Sequence, residues 1–205
     1  MMMARFEDGT NHSLRPAEQG HIAAALHYAG TGGLAVELDS VILRIAGITN
    51  RSPVTSKLHE RQEILDLSEN SHEAVLRPMD PGGLSHALRA ALASRMSTMN
   101  GDATLTAHYR ALLQDDTQGT PELSRIADPA HAPSTKAGEW LAAVVRHVDL
   151  LTASPQSVTK SEIQALQAQG VGDADIVRIT QLAGFVNYQV RFVAGLRLLS
   201  DTEQG

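Results

Sequence analysis

The stretch that decides the fold is GGLSHALRAALASRMSTMNGDATLTAHYRALL, which runs from Gly82 to Leu113. Apolar residues recur in it at helical spacing, in a first group of Leu88, Leu92, Met96 and Met99 and a second group of Leu105, Tyr109, Leu112 and Leu113. Between the groups, Asn100 and Gly101 break the pattern, and Asp102 is a natural N-cap for the second group. The stretch therefore predicts two packed helices joined by a tight turn.

Helical periodicity continues on both sides of this pair. It begins near Val36, returns after Ser134, and ends in a long final helix that starts at Asp173. No segment alternates polar and apolar residues between hairpin turns, as a strand would. The segment Gln114–Pro133 is polar and predicts a long loop. The sequence thus predicts an all-α domain over residues 35–205, a bundle of seven to eight helices.

Residues 1–34 have a different character. Asn, Ser, Pro and Gly punctuate this segment, and the run from Gly30 to Gly33 predicts a flexible joint. The pattern at His21–Tyr28 is compatible with one short amphipathic helix. We therefore expect an N-terminal arm over residues 1–34 that leads into the helical domain.

The composition excludes several classes of function. The 205 residues include 17 Lys or Arg and 23 Asp or Glu, which gives a net charge of −6. An acidic protein is a poor match for nucleic acid or an anionic membrane, because phosphate binding needs a basic face. The chain contains no cysteine, which rules out disulfides, a thiol nucleophile, and thiolate-bound zinc or iron–sulfur clusters.

Location and cofactor content are predicted from the same features. Residues 1–10 carry one Arg and no apolar core of a signal peptide, and no apolar run is long enough to span a bilayer. A cytoplasmic protein is therefore expected. The nine His residues form no H-x-x-x-H pair, so we expect neither a metal nor another cofactor.

Two stretches resemble the carboxymuconolactone decarboxylase/alkylhydroperoxidase D family. The stretch from Gly82 to Leu113 is similar to the family core, in which an Arg-containing helix leads into Asn-Gly, a C-x-x-C pair and a His. The stretch LQAQGVGDADIVRITQLAGFVNYQVRFVAGLRLL, Leu166 to Leu199, resembles the C-terminal pattern of a Gly-rich turn before a helix with Asn-aromatic and Arg. With AGITNRSP at Ala46–Pro53, the likeness covers most of residues 36–199.

The resemblance implies an alkylhydroperoxidase D-like helical bundle in a cysteine-free branch. It also implies a homo-oligomer, because relatives are dimers, trimers or hexamers. In active relatives a Cys at a helix start forms the thiolate that attacks peroxide. Here the first Cys falls on Asp102, the second on Leu105 and an upstream Glu on Ala90. Only His108 is retained, one residue short of the commonest spacing, so thiol peroxidase activity is not expected.

The family also includes a cofactor-free decarboxylase, whose chemistry needs an acid–base group and an anion site. On that interpretation His108 is the catalytic base, and the binding residues are Tyr109, Arg95, Asn187 and Arg191. Each also has a structural interpretation. His108 fits a core or interface histidine, Asn187 and Arg191 fit ties between helices, and Arg95 fits an exposed helix charge.

Three functional interpretations remain open. The first is a non-redox binding or partner subunit, with a cysteine-bearing homologue as one candidate partner. The second is a cofactor-independent acid–base enzyme that acts, like a decarboxylase or another lyase, on a small carboxylate. The third is an antioxidant peroxidase by family membership alone. The first is favoured, because His108 is the one plausible catalytic group that the motif retains.

Overall fold

The computed structural model describes residues 40–49 and 51–202, so the arm expected over residues 1–34 lies outside the described residues. Within those two ranges the chain forms nine α-helices and no strand, which confirms the all-α prediction. The helices are α1 (Val41–Ala46), α2 (Thr55–His59), α3 (Gln62–Leu76), α4 (His86–Met99), α5 (Ala103–Asp115), α6 (Pro121–Ile126), α7 (Gly138–Ala153), α8 (Lys160–Ala168) and α9 (Asp173–Thr202), with a 3-10 turn at Pro155–Ser157.

The helix number exceeds the expected seven to eight because the sequence pattern does not separate two short helices. Helix α2 is five residues long and stands just before α3. Helix α6 lies inside the segment Gln114–Pro133, for which the sequence predicts a loop. The side chain of Thr120 accepts a hydrogen bond from the amide of Leu123, and Pro121 occupies the first helical position. A cap followed by proline favours a helix start, even in a polar segment.

The predicted pair of helices is α4 and α5. Ser85 caps α4 by accepting from the amide of Leu88, and the turn between the helices contains Gly101 at φ 75°. Helix α4 is buried on every side from Ala87 to Ser97, since it packs against α3, α5, α6, α7 and α9. A helix covered all round can carry alanines and polar residues without a separate solvent face. Helix α4 is therefore the centre of the bundle.

Helix α9 is the second organising element. It is 30 residues long, and α1, α3, α4, α7 and α8 all pack against it. Its buried apolar residues are Ile176, Ile179, Leu182, Ala183, Phe185, Val186, Val193 and Leu196. Among the described residues, no helix is both long and apolar enough to cross a membrane.

A loop between α3 and α4 is fixed to the bundle from two directions. Arg89 of α4 is buried and donates to the carbonyl oxygens of Val75, Pro81 and Leu84 at 2.8–3.1 Å. At Gly82 the backbone has φ 60°, and a Cβ there would lie 2.3 Å from the guanidinium of Arg178. Glycine is therefore needed where α9 meets this loop.

Candidate functional site

The start of α5 is occupied by a buried ion pair. Asp102 is 7% exposed, and its Oδ1 accepts from the amide of Leu105 at 2.9 Å, which confirms the expected N-cap. Its Oδ2 accepts from Arg197 Nη1 of α9 at 2.7 Å. Burial opposes the charge of Asp102, but the hydrogen bonds from Arg197 and Leu105 outweigh it and lower the pKa of the carboxyl.

The inward face of α5 continues from Asp102 through Leu105 to Tyr109. Leu105 and Tyr109 are completely buried. The hydroxyl of Tyr109 donates to Oε1 of Gln189, which is itself completely buried in α9. Burial raises the pKa of Tyr109, so the phenol stays protonated. The residue that points inward one position beyond His108 is thus a neutral Tyr.

His108 lies beside this face and contacts a second histidine. Its Nε2 is 3.0 Å from Nε2 of His72 on α3, so one ring must donate the shared proton and the other must accept it. His72 is 3% exposed, and its Nδ1 is 3.5 Å from a Glu73 oxygen. The two rings join α3 to α5.

Both histidines are held in their neutral form. Burial lowers the pKa of His108 from 6.5 to about 4, and repulsion from His72, Arg44 and Arg77 acts in the same direction. Burial also lowers the pKa of His72, although Glu73 and Glu69 oppose the shift. The pair therefore carries little charge at neutral pH.

The histidine pair belongs to a larger polar cluster between α3, α5 and α9, which we call the histidine cluster. It comprises His72, His108, Tyr109 and Gln189, together with the Ser68–Tyr188 hydrogen bond of 3.0 Å. The ring centroids of His108 and Tyr109 are 5.2 Å apart, and those of His72 and His108 are 5.3 Å apart. The buried Nε2 of Gln189 has no hydrogen-bond partner among the described residues. An unpaired buried amide is costly.

His72 is not among the residues that the sequence motifs indicate as functional. A signal was nevertheless present, because Leu65, Ser68, His72 and Leu76 recur at spacings of three and four and are all buried. The same periodicity that predicts a core leucine therefore places His72 inward. Its partner could not be inferred, since His108 is 36 positions away in the sequence.

Arg95 does not have the exposed position that its simplest interpretation required. It is 4% exposed, and its guanidinium forms a bidentate ion pair with Asp149 of α7 at 2.6 and 2.7 Å. Its Nη1 also donates to the carbonyl oxygens of Ile126, Asp128 and His131 at 2.9–3.1 Å. Because α4 is surrounded by helices, its charges must be paired inside the protein. These contacts occupy the guanidinium of Arg95.

Asn187 and Arg191 share a face of α9, as their spacing predicts. Among the described residues, neither side chain forms a hydrogen bond with the histidine cluster. Oδ1 of Asn187 accepts from Asn100 at 3.0 Å, and its Nδ2 donates to the carbonyl of Ala183. Arg191 is exposed and donates to the carbonyl oxygen of Asn187. Within the described residues, neither side chain hydrogen-bonds to His108. Asn187 thus ties α9 to the end of α4.

Two solved structures are similar to this arrangement of helices. One is an alkylhydroperoxidase AhpD core, a peroxidase-related protein from Ralstonia eutropha JMP134, with a TM-score of 0.57 and 17% identity over 75% of this chain and 78% of that one. The other is a peroxidase-related protein from Silicibacter sp. TM1040, with a TM-score of 0.58 and 15% identity over 76% of this chain and 78% of that one. The chain has an alkylhydroperoxidase D-like fold. At these identities the likeness establishes the fold alone. No family model and no curated protein sequence matches the chain.

Within the alkylhydroperoxidase D-like fold, the positions that the resemblance assigns to redox chemistry hold other groups. The two Cys positions carry the ion-paired Asp102 and the buried Leu105, and the Glu position carries the buried Ala90. The His position at the commonest spacing carries Tyr109, which is bonded to Gln189. The fold is therefore present without the side chains of thiol chemistry.

Proposed function

We propose that the protein is a non-redox binding or partner subunit built on the alkylhydroperoxidase D-like fold. The observation that carries the proposal is the Asp102–Arg197 ion pair of 2.7 Å at the start of α5. It stands where a catalytic thiolate would stand by the resemblance. A carboxylate cannot take up the oxygen of a peroxide as sulfur does, and this one is already engaged by a cap and by Arg197.

Thiol-dependent peroxide reduction is the activity most directly tested. We expect the purified, metal-free protein to consume hydrogen peroxide or an alkyl hydroperoxide no faster than buffer, with dithiothreitol or a dithiol-lipoyl donor as reductant. The reason is that no residue of the chain can form a sulfenic acid. A peroxide assay that follows both substrates checks this expectation. Turnover clearly above the blank would contradict the non-redox proposal.

Exposed apolar side chains support a role in assembly. Ile64 and Leu67 on α3 are 46% and 58% exposed, and Tyr188, Leu198 and Leu199 on the neighbouring α9 are 43%, 67% and 52% exposed. A cleft of about 460 Å³ lies along the last three turns of α9 and includes Leu198 and Leu199 in its walls. Apolar surface of this kind is typical of protein interfaces. We propose that it joins copies of this chain, with a cysteine-bearing homologue as the alternative partner.

Leu198→Glu is expected to weaken self-association without unfolding the chain. Leu198 is 67% exposed, so a charge there is solvated in a single chain but desolvated in an interface. We expect wild type to be oligomeric at micromolar concentration, and the Kd for self-association of the variant to be higher by about tenfold or more. Light scattering coupled to size-exclusion chromatography measures this. Met79→Glu, on a fully exposed loop residue, is the matched control. A monomeric wild type would refute the assembly proposal.

A second candidate is a cofactor-independent acid–base enzyme that acts on a small carboxylate, with His108 as the base. The observation in its favour is the neutral His72–His108 pair, which is able to accept a proton. Its weakness is the pKa of His108 at about 4, because a general base works best when its pKa is near the operating pH. The bonding of Arg95 to Asp149 and of Asn187 to Asn100 also leaves these groups poorly placed to hold an anion at His108.

The cytoplasmic location expected from the sequence stays a prediction.

A further inference from the structure

A cleft of about 530 Å³ opens between α5, α6 and the loop after α6. Arg110 borders it on α5, Ser124 and Arg125 border it on α6, and His131 and Ser134 border it on the loop. None of the residues of the histidine cluster lines this cleft. Its volume falls in the range of small-molecule sites, and polar side chains converge on it from three segments.

Within the described residues, the guanidinium groups at this cleft keep hydrogen-bond donors that have no acceptor, whereas its two carboxylates already accept hydrogen bonds from backbone amides. Arg110 is exposed and has no hydrogen bond or ion pair among the described residues. Arg125 uses its Nε on the carbonyl of Ala132 at 3.0 Å, which leaves its two terminal nitrogens. The carboxylate of Glu122 accepts from the amide of Ser134 at 2.7 Å, and that hydrogen bond lowers the pKa of Glu122. The charge of Arg125 also acts on Glu122, but a ligand that enters the cleft still meets the terminal nitrogens of Arg110 and Arg125.

The second carboxylate of the cleft is engaged in the same way. Oδ1 of Asp128 accepts from the amide of Ala130 at 2.9 Å, and Oδ2 is 3.8 Å from His131 Nδ1. These local bonds shape the loop and turn the carboxylate toward its own backbone. Two acidic groups still lie near the cleft, so a ligand with one negative charge suits it better than a doubly charged one.

Arg95 anchors the wall of the cleft that is formed by the loop after α6. This buried side chain donates to the carbonyl oxygens of Asp128 and His131, and its ion pair with Asp149 fixes it to α7. The loop that carries His131 and Ser134 is thereby anchored to two helices of the core. A wall that is already ordered reduces the entropy cost of binding a ligand.

We propose that this cleft binds a small monocarboxylate, with the guanidinium groups of Arg110 and Arg125 on the carboxylate oxygens. Guanidinium matches a carboxylate in a planar, two-point geometry, and the hydroxyl of Ser124 supplies a further donor. Inorganic phosphate shares part of this chemistry but brings a second charge toward Glu122 and Asp128. The site requires neither catalysis at His108 nor a partner at α9, so it goes beyond the proposed function.

An NMR titration of the 15N-labelled full chain tests this site. The probe is sodium acetate, compared with sodium phosphate and sodium chloride at matched ionic strength and pH. We expect acetate to shift the backbone amides of Ser124, Arg125 and Ser134 saturably in the millimolar range, and phosphate to bind more weakly. Arg110→Gln and Arg125→Gln should each raise the acetate Kd by about tenfold, since each removes one charge-assisted partner.

The control is Arg146→Gln, which removes an exposed arginine from α7 outside the cleft and should leave the acetate Kd unchanged. The dispersion of the amide spectrum checks that each variant is folded. Shifts that never saturate would overturn the proposal. So would an acetate Kd that is the same in Arg110→Gln and Arg125→Gln as in the control Arg146→Gln. Tighter binding of phosphate than of acetate would overturn the assignment of a monocarboxylate.

Discussion

Replacing Arg95 by Met is expected to lower the free energy of unfolding by about 3 kcal/mol. Removal of one member of a buried ion pair typically costs about 3–5 kcal/mol, because the other member is left desolvated and unpaired. The lower end applies, since the side chain of Asp149 retains 32% exposure and regains some water. The carbonyl oxygens of Ile126, Asp128 and His131 also lose their shared donor.

Thermal and urea unfolding of Arg95→Met measure this loss. For a chain of this size, about 3 kcal/mol corresponds to a fall in Tm of roughly 6–12 °C. The matched control is Arg146→Met on α7, which removes an exposed arginine and should change stability by less than about 0.5 kcal/mol. A loss below about 1 kcal/mol in Arg95→Met would show that Arg95 does not hold α4, α7 and the α6–α7 loop together.

A double variant separates the charge from the packing. Adding Asp149→Leu to Arg95→Met removes the orphaned carboxylate, so the double variant should be more stable than Arg95→Met by about 1 kcal/mol. It should remain less stable than wild type, because the carbonyl oxygens of Ile126, Asp128 and His131 still lack a donor. If the losses in unfolding free energy from Arg95→Met and Asp149→Leu simply added, the two side chains would act independently of each other. That result would contradict their 2.6 Å contact.

The α4–α5 pair shows what local sequence can predict. Its apolar stripe, its break at Asn100 and Gly101, and the cap at Asp102 are all fixed by residues within one or two turns of each other. The same information is silent about the partner of Asp102. Arg197 lies 95 positions further along the chain, and it meets Asp102 only after α9 has packed against the bundle.

Arg95 shows why exposure is harder to predict than helix position. An isolated Arg in an alanine-rich helix is most simply solvated, and nothing near it in the sequence indicates otherwise. The burial of α4 on all sides depends on the positions of α6, α7 and α9. The surroundings of His108 are hidden from the sequence for the same reason. His108 is identifiable from its motif, whereas its hydrogen-bond partner, His72, comes from α3.

The stability of the protein is expected to fall in mild acid because of the histidine cluster. The pKa of His108 is about 4 in the folded chain and near 6.5 in an unfolded one. Between these values the unfolded chain binds more protons, so the free energy of unfolding rises with pH across this window. The stabilisation is fully present above pH 6.5 and is lost as the pH falls through 6.5 toward 4.

The size of the effect is set by the same difference in pKa. At about 1.4 kcal/mol per pKa unit, the gap between 6.5 and about 4 bounds the loss at about 3–4 kcal/mol. Partial solvent access at His108 screens the charge, so we expect about 2 kcal/mol. His72 contributes in the same direction, and so does His147 on α7, because burial lowers the pKa of each. Urea unfolding at intervals between pH 4.5 and 8 measures the total.

His108→Gln is expected to flatten this dependence. At pH 8 the variant should be about 1 kcal/mol less stable than wild type, since Gln can still hydrogen-bond to His72 but fills the space between α3 and α5 less well. Near pH 5 the order should reverse or the difference vanish, because the variant has no ring to protonate at this position. The control is His59→Gln, an exposed residue at the end of α2 that should leave the wild-type curve unchanged. Parallel curves for wild type and His108→Gln across the window would contradict a neutral, buried histidine pair.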